Sequence, residues 1–151
     1  MTVADYRRLF AYEFWANRTV LDALNDTDPA SLRLFSHILA SQNLWLERMT
    51  DRTQSMEVWP DLTAAECAPL LARLESAWQS FLDDLDDARL ADAFSYVNTK
   101  GEPWSSTIGD TLLHLITHSC YHRGQIAQEM RRSGREPVYT DYIQATRTKA
   151  I

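Results

Sequence analysis

The sequence predicts an all-α protein, a four-helix bundle made by one domain over residues 1–151. Three observations carry that expectation. Four segments of about twenty residues repeat apolar side chains at three- and four-residue spacing. Turn and cap signals separate them. The chain has 151 residues, 45% of them hydrophobic and five of them Trp, which is enough apolar mass to fill one core.

The first helix is expected from about Val3 to Leu24. It holds no Gly or Pro, and Leu9, Phe10, Phe14, Val20, Leu21 and Leu24 make its stripe. Asn25-Asp26-Thr27-Asp28-Pro29 reads as a turn, with Asp28 as the cap and Pro29 as the first residue of a second helix reaching Met49. Leu34, Ile38, Trp45 and Met49 form the inner stripe of that helix. Thr50 to Leu62 is polar, contains Pro60 and reads as a crossover loop. Thr63-Ala64-Ala65-Glu66 has capping-box spacing and opens a third helix that ends near Leu85. Phe94 to Val97 then reads as a strand, Asn98-Thr99-Lys100-Gly101 as a turn, and Pro103-Trp104 as the start of a return strand. This small hairpin lies between helices three and four. Thr107-Ile108-Gly109-Asp110 opens the fourth helix, which ends near Ser133 with Gly134 as its stop. Disorder is expected only in the last few residues.

Charge removes several function classes. The formal net charge is −6, which argues against a nucleic-acid binder that must neutralise phosphates. Arg131, Arg132 and Arg135 cluster where the fourth helix ends, and a cation there is explained by the helix dipole. The run Asp83, Asp84, Asp86 and Asp87 lacks the Gly and distal Glu of a calcium loop and reads as a solvated turn. No stretch approaches the ~18 apolar residues of a membrane span. Asp5, Arg7 and Arg8 stand where a secretory leader would be apolar, and Cys67 and Cys120 are too few for a disulfide framework. A reducing, cytoplasmic setting is expected.

The four histidines are the chemical signal. His114, His118 and His122 follow at intervals of four on the fourth helix. An i, i+4 pair can hold one ion from one helix face. Three in a row cannot, because His114 and His122 are separated by ~12 Å along the axis. With His118 at 0° on a helical wheel, Ile108, Leu112, Leu115, Ile126 and Met130 fall at about 60–120°, His122 at ~40° and His114 at ~−40°. The inward pair is therefore His118 and His122. Cys120, near 200°, points elsewhere, and Gln125, near −20°, lies beside His118. On the second helix His37 flanks the stripe of Leu34, Ile38 and Trp45, so packing the two faces together brings His37 towards the pair. Each histidine taken alone also fits a core residue with a satisfied hydrogen bond, and spacing leaves both readings standing.

A resemblance goes further. His118-Ser119-Cys120-Tyr121-His122-Arg123-Gly124-Gln125-Ile126 resembles the HxxxHRGQI signature of the DinB/YfiT-like proteins. Leu112-Leu113-His114-Leu115, Tyr12-Glu13-Phe14-Trp15-Ala16-Asn17, His37-Ile38-Leu39-Ala40 with Trp45-Leu46, and Asp141-Tyr142 are similar to the same family's pattern. The resemblance implies an up-down-down-up bundle, commonly a homodimer. It implies one divalent ion on His37, His118 and His122. Zinc or nickel is expected first, with iron, manganese or copper as alternatives that imidazole also accepts. It further implies a transferase that activates a low-molecular-weight thiol of the bacillithiol or mycothiol type towards an electrophilic substrate. Gln125, Trp45, Trp15 and Asn17 are candidates to line the site, and Arg123 is expected to pair with a carboxylate. Two alternatives stand beside this reading. A metal-dependent hydrolase needs a general base; none lies between His118 and His122, and Glu13 or Glu47, approaching from another helix, are the candidates. A non-catalytic, stress-responsive metal protein would use the same ligands.

Overall fold

The expected helices form, and each starts at a side-chain cap. In the computed structural model, which describes residues 1–151, α1 spans Val3–Ala23, α2 Pro29–Met49, α3 Ala64–Asp83 and α4 Ile108–Arg132. Thr2, Asp28, Thr63 and Thr107 accept hydrogen bonds from the backbone N–H groups of Asp5, Ser31, Glu66 and Asp110. Those bonds satisfy donors that the first helical turn leaves without partners. Around Thr63 the box is complete, since the Glu66 carboxylate accepts from the Thr63 N–H at 2.9 Å. The far end of α4 is closed as firmly. The Gly134 N–H reaches the Arg131 carbonyl and the Arg135 N–H the Met130 carbonyl, at 3.0 and 2.9 Å. This double closure needs a residue at positive φ, and Gly134 has φ +75°.

Helix directions follow from contacts between named side chains. The Tyr6 hydroxyl donates to the Gly109 carbonyl, and Tyr12 lies beside Cys120, so α1 and α4 run parallel. Arg7 reaches the Leu82 carbonyl and Arg18 pairs with Glu75, which makes α3 antiparallel to α1. Ser36 lies by Cys67, and Arg73 donates to Asn43, so α2 and α3 run the same way. The order is up-down-down-up. The core lies between the helices and includes Phe14, Phe35, Ile38, Leu39, Trp78, Leu112, Leu115, Ile126 and Met130, all fully buried. The stripe expected on α4 is thus the buried one.

Between α3 and α4 a 3-10 turn, Ala88–Ala91, leads into β1 (Ala93–Val97), which pairs antiparallel with β2 (Pro103–Thr107). Phe94 and Tyr96 share one face of β1 by the two-residue strand period. Both pack edge-on to Trp45, with centroids 6.3 and 4.9 Å away. The Arg48 guanidinium lies over the Trp45 and Tyr96 rings, 4.7 Å from each centroid. The hairpin is therefore clamped to the C-terminal half of α2.

Two sequence-based expectations need comment. The basic cluster is structural: Arg135 pairs with Asp28 at 3.0 Å, tying the end of α4 to the start of α2. The last residues are not disordered. They form a short helix, α5 (Tyr142–Arg147), whose Ala145 is fully buried against Tyr12 and Ala16. Its six residues are too few for a visible helical period, and long-range contacts fix it: Ala145 packs into the core, Tyr142 meets Tyr12 edge-on at 5.2 Å, and the Tyr12 hydroxyl donates to the Thr140 carbonyl. No helix is long and apolar enough to cross a membrane.

Candidate metal centre

The antiparallel packing of α2 on α4 brings His37 opposite His118 and His122. His37 Nε2 lies 3.2 Å from His118 Nε2, and His122 Nε2 lies 3.2 Å from the same atom. The ligating atoms of all three residues lie within 4.8 Å of one another. Four nitrogens held tetrahedrally at ~2.0–2.1 Å from a zinc ion would be ~3.3 Å apart. Two of the three spacings here already match that edge.

Hydrogen bonding fixes which nitrogens are free. His37 Nδ1–H donates to the Val58 carbonyl at 2.7 Å. His122 Nδ1–H donates to Gln125 Oε1 at 2.6 Å. These bonds assign the Nδ1–H tautomer to both rings and leave both Nε2 atoms with only a lone pair. His118 carries one proton to share: on Nε2 it serves two acceptors imperfectly, and on Nδ1 it has no acceptor, because that atom is buried without a partner. Three imidazole lone pairs converging on one point are mutually repulsive, and a cation resolves the repulsion. The donor set fits a divalent ion, with the outer ring nitrogens of His37 and His122 oriented by carbonyl oxygens as those of metal-binding histidines usually are.

Electrostatics point the same way. Burial first, and then the charges that His122, His37 and His114 would bear, lowers the His118 pKa from 6.5 to about 3. Burial also lowers the His37 pKa, opposed in part by the Val58 hydrogen bond. Both imidazoles are neutral at pH 7, the form that binds metal.

The other candidates divide. Gln125 belongs to the site but touches His122 rather than His118, because three residues along a helix brings side chains together more directly than their wheel angles suggest. Trp45 packs under the hairpin and meets His114, at 5.6 Å, instead of the three-histidine cluster. Trp15 packs beside Tyr12 in the small cluster around Ala145. Asn17 is buried on α1, where its amide oxygen accepts from Arg123 at 2.8 Å. Cys120 faces away from the imidazoles, as expected, and lines a separate surface cavity of about 460 Å³ with Tyr12, Arg123 and Arg131.

The carboxylates suggested as a general base are both engaged. Glu13 accepts from Arg123 at 2.7 Å, Gln42 at 2.8 Å and Asn17 at 3.0 Å. Glu47 accepts from the N–H of Ser55 at 3.2 Å and from its hydroxyl. Two site residues had no sequence signal of their own. Val58 and Trp59 lie in the crossover loop, and the Trp59 ring stacks on His37 with centroids 3.6 Å apart and planes 3° from parallel. A lone Trp next to Pro60 in a polar loop is the feature that singles it out in retrospect.

The Gln125 contact carries a prediction. Gln125→Leu keeps the side chain's bulk but removes the acceptor of the His122 Nδ1–H. Zinc affinity, measured by chelator competition, should fall about 10-fold or more. The far-ultraviolet spectrum should stay unchanged, since Gln125 lies only at the edge of the core.

Comparisons with known proteins bear on the family and the fold. A family model described as the DinB family matches residues 1–150. A curated relative, "Protein DinB" of Bacillus subtilis strain 168, is 25% identical over 156 aligned positions, covering 89% of this chain and 90% of the relative. The crystal structure of a DinB-like protein from Bacillus cereus superposes with a TM-score of 0.73 at 21% identity, covering 91% of this chain and 98% of that one. At that identity the superposition speaks for the fold alone.

Proposed function

The chain belongs to the DinB family, and from that premise we propose that it is a metal-dependent transferase joining a low-molecular-weight thiol to an electrophilic carbon. The observation that carries this reading is the convergence of three imidazole nitrogens with no protein nucleophile or free carboxylate beside them. When bound, a divalent ion, with zinc or nickel the first candidates, supplies a Lewis-acidic charge that favours the thiolate over the thiol.

The residues of the chain then have defined tasks. His37, His118 and His122 hold the ion. The Val58 carbonyl and Gln125 keep the His37 and His122 rings turned so that Nε2 faces inward. Three protein ligands leave room for a small molecule, as open catalytic sites do and four-ligand structural sites do not. The nucleophile arrives with the substrate. An S–C bond forms as the carbon–halogen bond, the strained ring C–O bond or the alkene π bond breaks. The thiol proton passes to solvent, a halide leaves as the anion, and a ring oxygen or alkene carbon takes up a proton from solvent. Hydrolysis is less well supported, because Glu13 and Glu47 already accept hydrogen bonds from other partners and neither is free to take a proton from water. A homodimer in a reducing cytoplasm completes the reading.

The test uses zinc- or nickel-loaded protein with a panel of cellular thiols, including bacillithiol and mycothiol. Each is offered epoxide, alkyl halide and activated-alkene electrophiles. Thiol consumption above the protein-free rate, lost in His118→Ala, is the expected result. No turnover with any pair overturns the transferase reading.

A further inference from the structure

We infer that Trp59 is a positioning residue for the metal ligand His37, and that it does this by clamping the crossover loop onto α2. The inference rests on the metal-site reading above. It begins from an asymmetry among the three imidazoles. The acceptor that orients His122 is a side chain on the same helix, three residues away, and is as rigid as α4 itself. The acceptor that orients His37 is the Val58 carbonyl, in the irregular segment between α2 and α3. A loop carbonyl holds a ring in place only if the loop is itself held.

The next residue does the holding. Trp59 stacks face to face on the His37 ring, 3.6 Å between centroids. Its indole also meets His122 edge-on at 6.0 Å, so it spans both helices of the site. The Arg33 guanidinium, one turn before His37 on α2, lies 5.9 Å from the Trp59 centroid. Arg33 also reaches Asp61 at 3.5 Å. Residues 58, 59 and 61 thus fasten to positions 33 and 37 of α2, and Trp59 is the one that touches both. Trp59 is 40% exposed, so core packing does not account for its place. The contact it makes most fully is with a metal ligand.

Removing the indole should let the Val58 carbonyl drift and free the His37 ring to rotate. A metal ligand that loses its orienting partner costs about 10–100-fold in affinity. The effect should appear mainly as faster release, because the three nitrogens remain available for capture.

The experiment loads wild type, Trp59→Ala and Trp59→Phe with zinc. It measures affinity by competition with a chromogenic chelator and release by chelator chase. Thermal melts of the three apo proteins run alongside. Trp59→Ala should bind zinc at least about 10-fold more weakly and release it correspondingly faster. Trp59→Phe, which keeps a stacking ring, should recover most of the loss. Unchanged affinity and release in Trp59→Ala overturns the proposal, whatever happens to the apo melting temperature. An equal defect in Trp59→Phe overturns it too, because stacking would not be the cause. If wild-type protein itself binds no zinc, the metal-site reading fails and this inference with it.

Discussion

Protein purified without a histidine tag should carry one divalent ion per chain, and His122→Ala should carry none. The expectation follows from ligand number. His37, His118 and His122 are the only group of three metal-ligating side chains whose donor atoms converge, and no carboxylate or thiol stands by to replace one. Losing a residue that merely orients a ligand costs about 10–100-fold, so losing a ligand should cost more than ~100-fold. His114→Ala is the control. It removes an imidazole one turn from His118 that lies outside the cluster, so metal content should stay at the wild-type level. Bound metal should also raise the melting temperature. Free zinc at 100 times its dissociation constant stabilises the folded state by about 2.7 kcal/mol, or roughly 5–10 °C for a chain of this size. The pH dependence has a definite sign. The folded apo protein keeps His118 neutral down to about pH 3, whereas the unfolded chain protonates it below 6.5. The unfolded state therefore binds more protons in that window. Apo stability should be full above pH 6.5 and should fall as pH drops towards 3. Elemental analysis settles the central point: near-zero metal in both wild type and His122→Ala would overturn the three-histidine site.

Much of this site was legible in the sequence because helices obey a fixed period. The wheel alone separated His118 and His122 from His114, and the structure keeps His114 out of the cluster, against Trp45. Helix starts were legible because Thr63, Thr107 and Asp28 use local cap chemistry that needs no tertiary context. What depends on contacts between distant segments was not legible. Val58 and Trp59 join the site through the path of a loop, and no periodicity describes a loop. The family-like segments Tyr12–Asn17 and His118–Ile126 gave no sign from spacing that they meet. In the structure Tyr12, Glu13 and Asn17 all accept hydrogen bonds from Arg123, so the two segments are halves of one buried network. Sequence reasoning assigned Arg123 a carboxylate partner but not which one. The partner lies 110 residues away.

That network should produce the largest loss of stability of any polar substitution in the chain. Glu13 is fully buried and Arg123 is 4% exposed, and their shortest contact is 2.7 Å. Burial disfavours the Arg123 charge, but the Glu13 carboxylate outweighs it, and the guanidinium pKa rises. The pair is also well satisfied: Glu13 accepts from Gln42 and Asn17, and Arg123 donates to Asn17, Tyr12 and Cys120 as well. Arg123→Met removes one charge and leaves the other in a dry interior with only amide donors. Breaking a buried pair this way costs about 3–5 kcal/mol. For a chain of this length that lowers the melting temperature by roughly 6–20 °C. Glu13→Leu should cost a similar amount for the mirror reason. The double variant Glu13→Leu/Arg123→Met removes both charges and should be much less destabilised than the sum of the singles. Recovery should be incomplete, because the Asn17 and Gln42 amides each lose a partner, at about 1–3 kcal/mol apiece. Arg123→Lys should not rescue, since one ammonium cannot reproduce the fork that reaches Glu13, Asn17 and Tyr12 together. A double-mutant cycle by urea denaturation reads the coupling directly. If the two substitutions are additive within about 0.5 kcal/mol, Glu13 and Arg123 act independently. In that case the link between α1 and α4 lies in apolar packing and the Tyr6–Gly109 hydrogen bond instead.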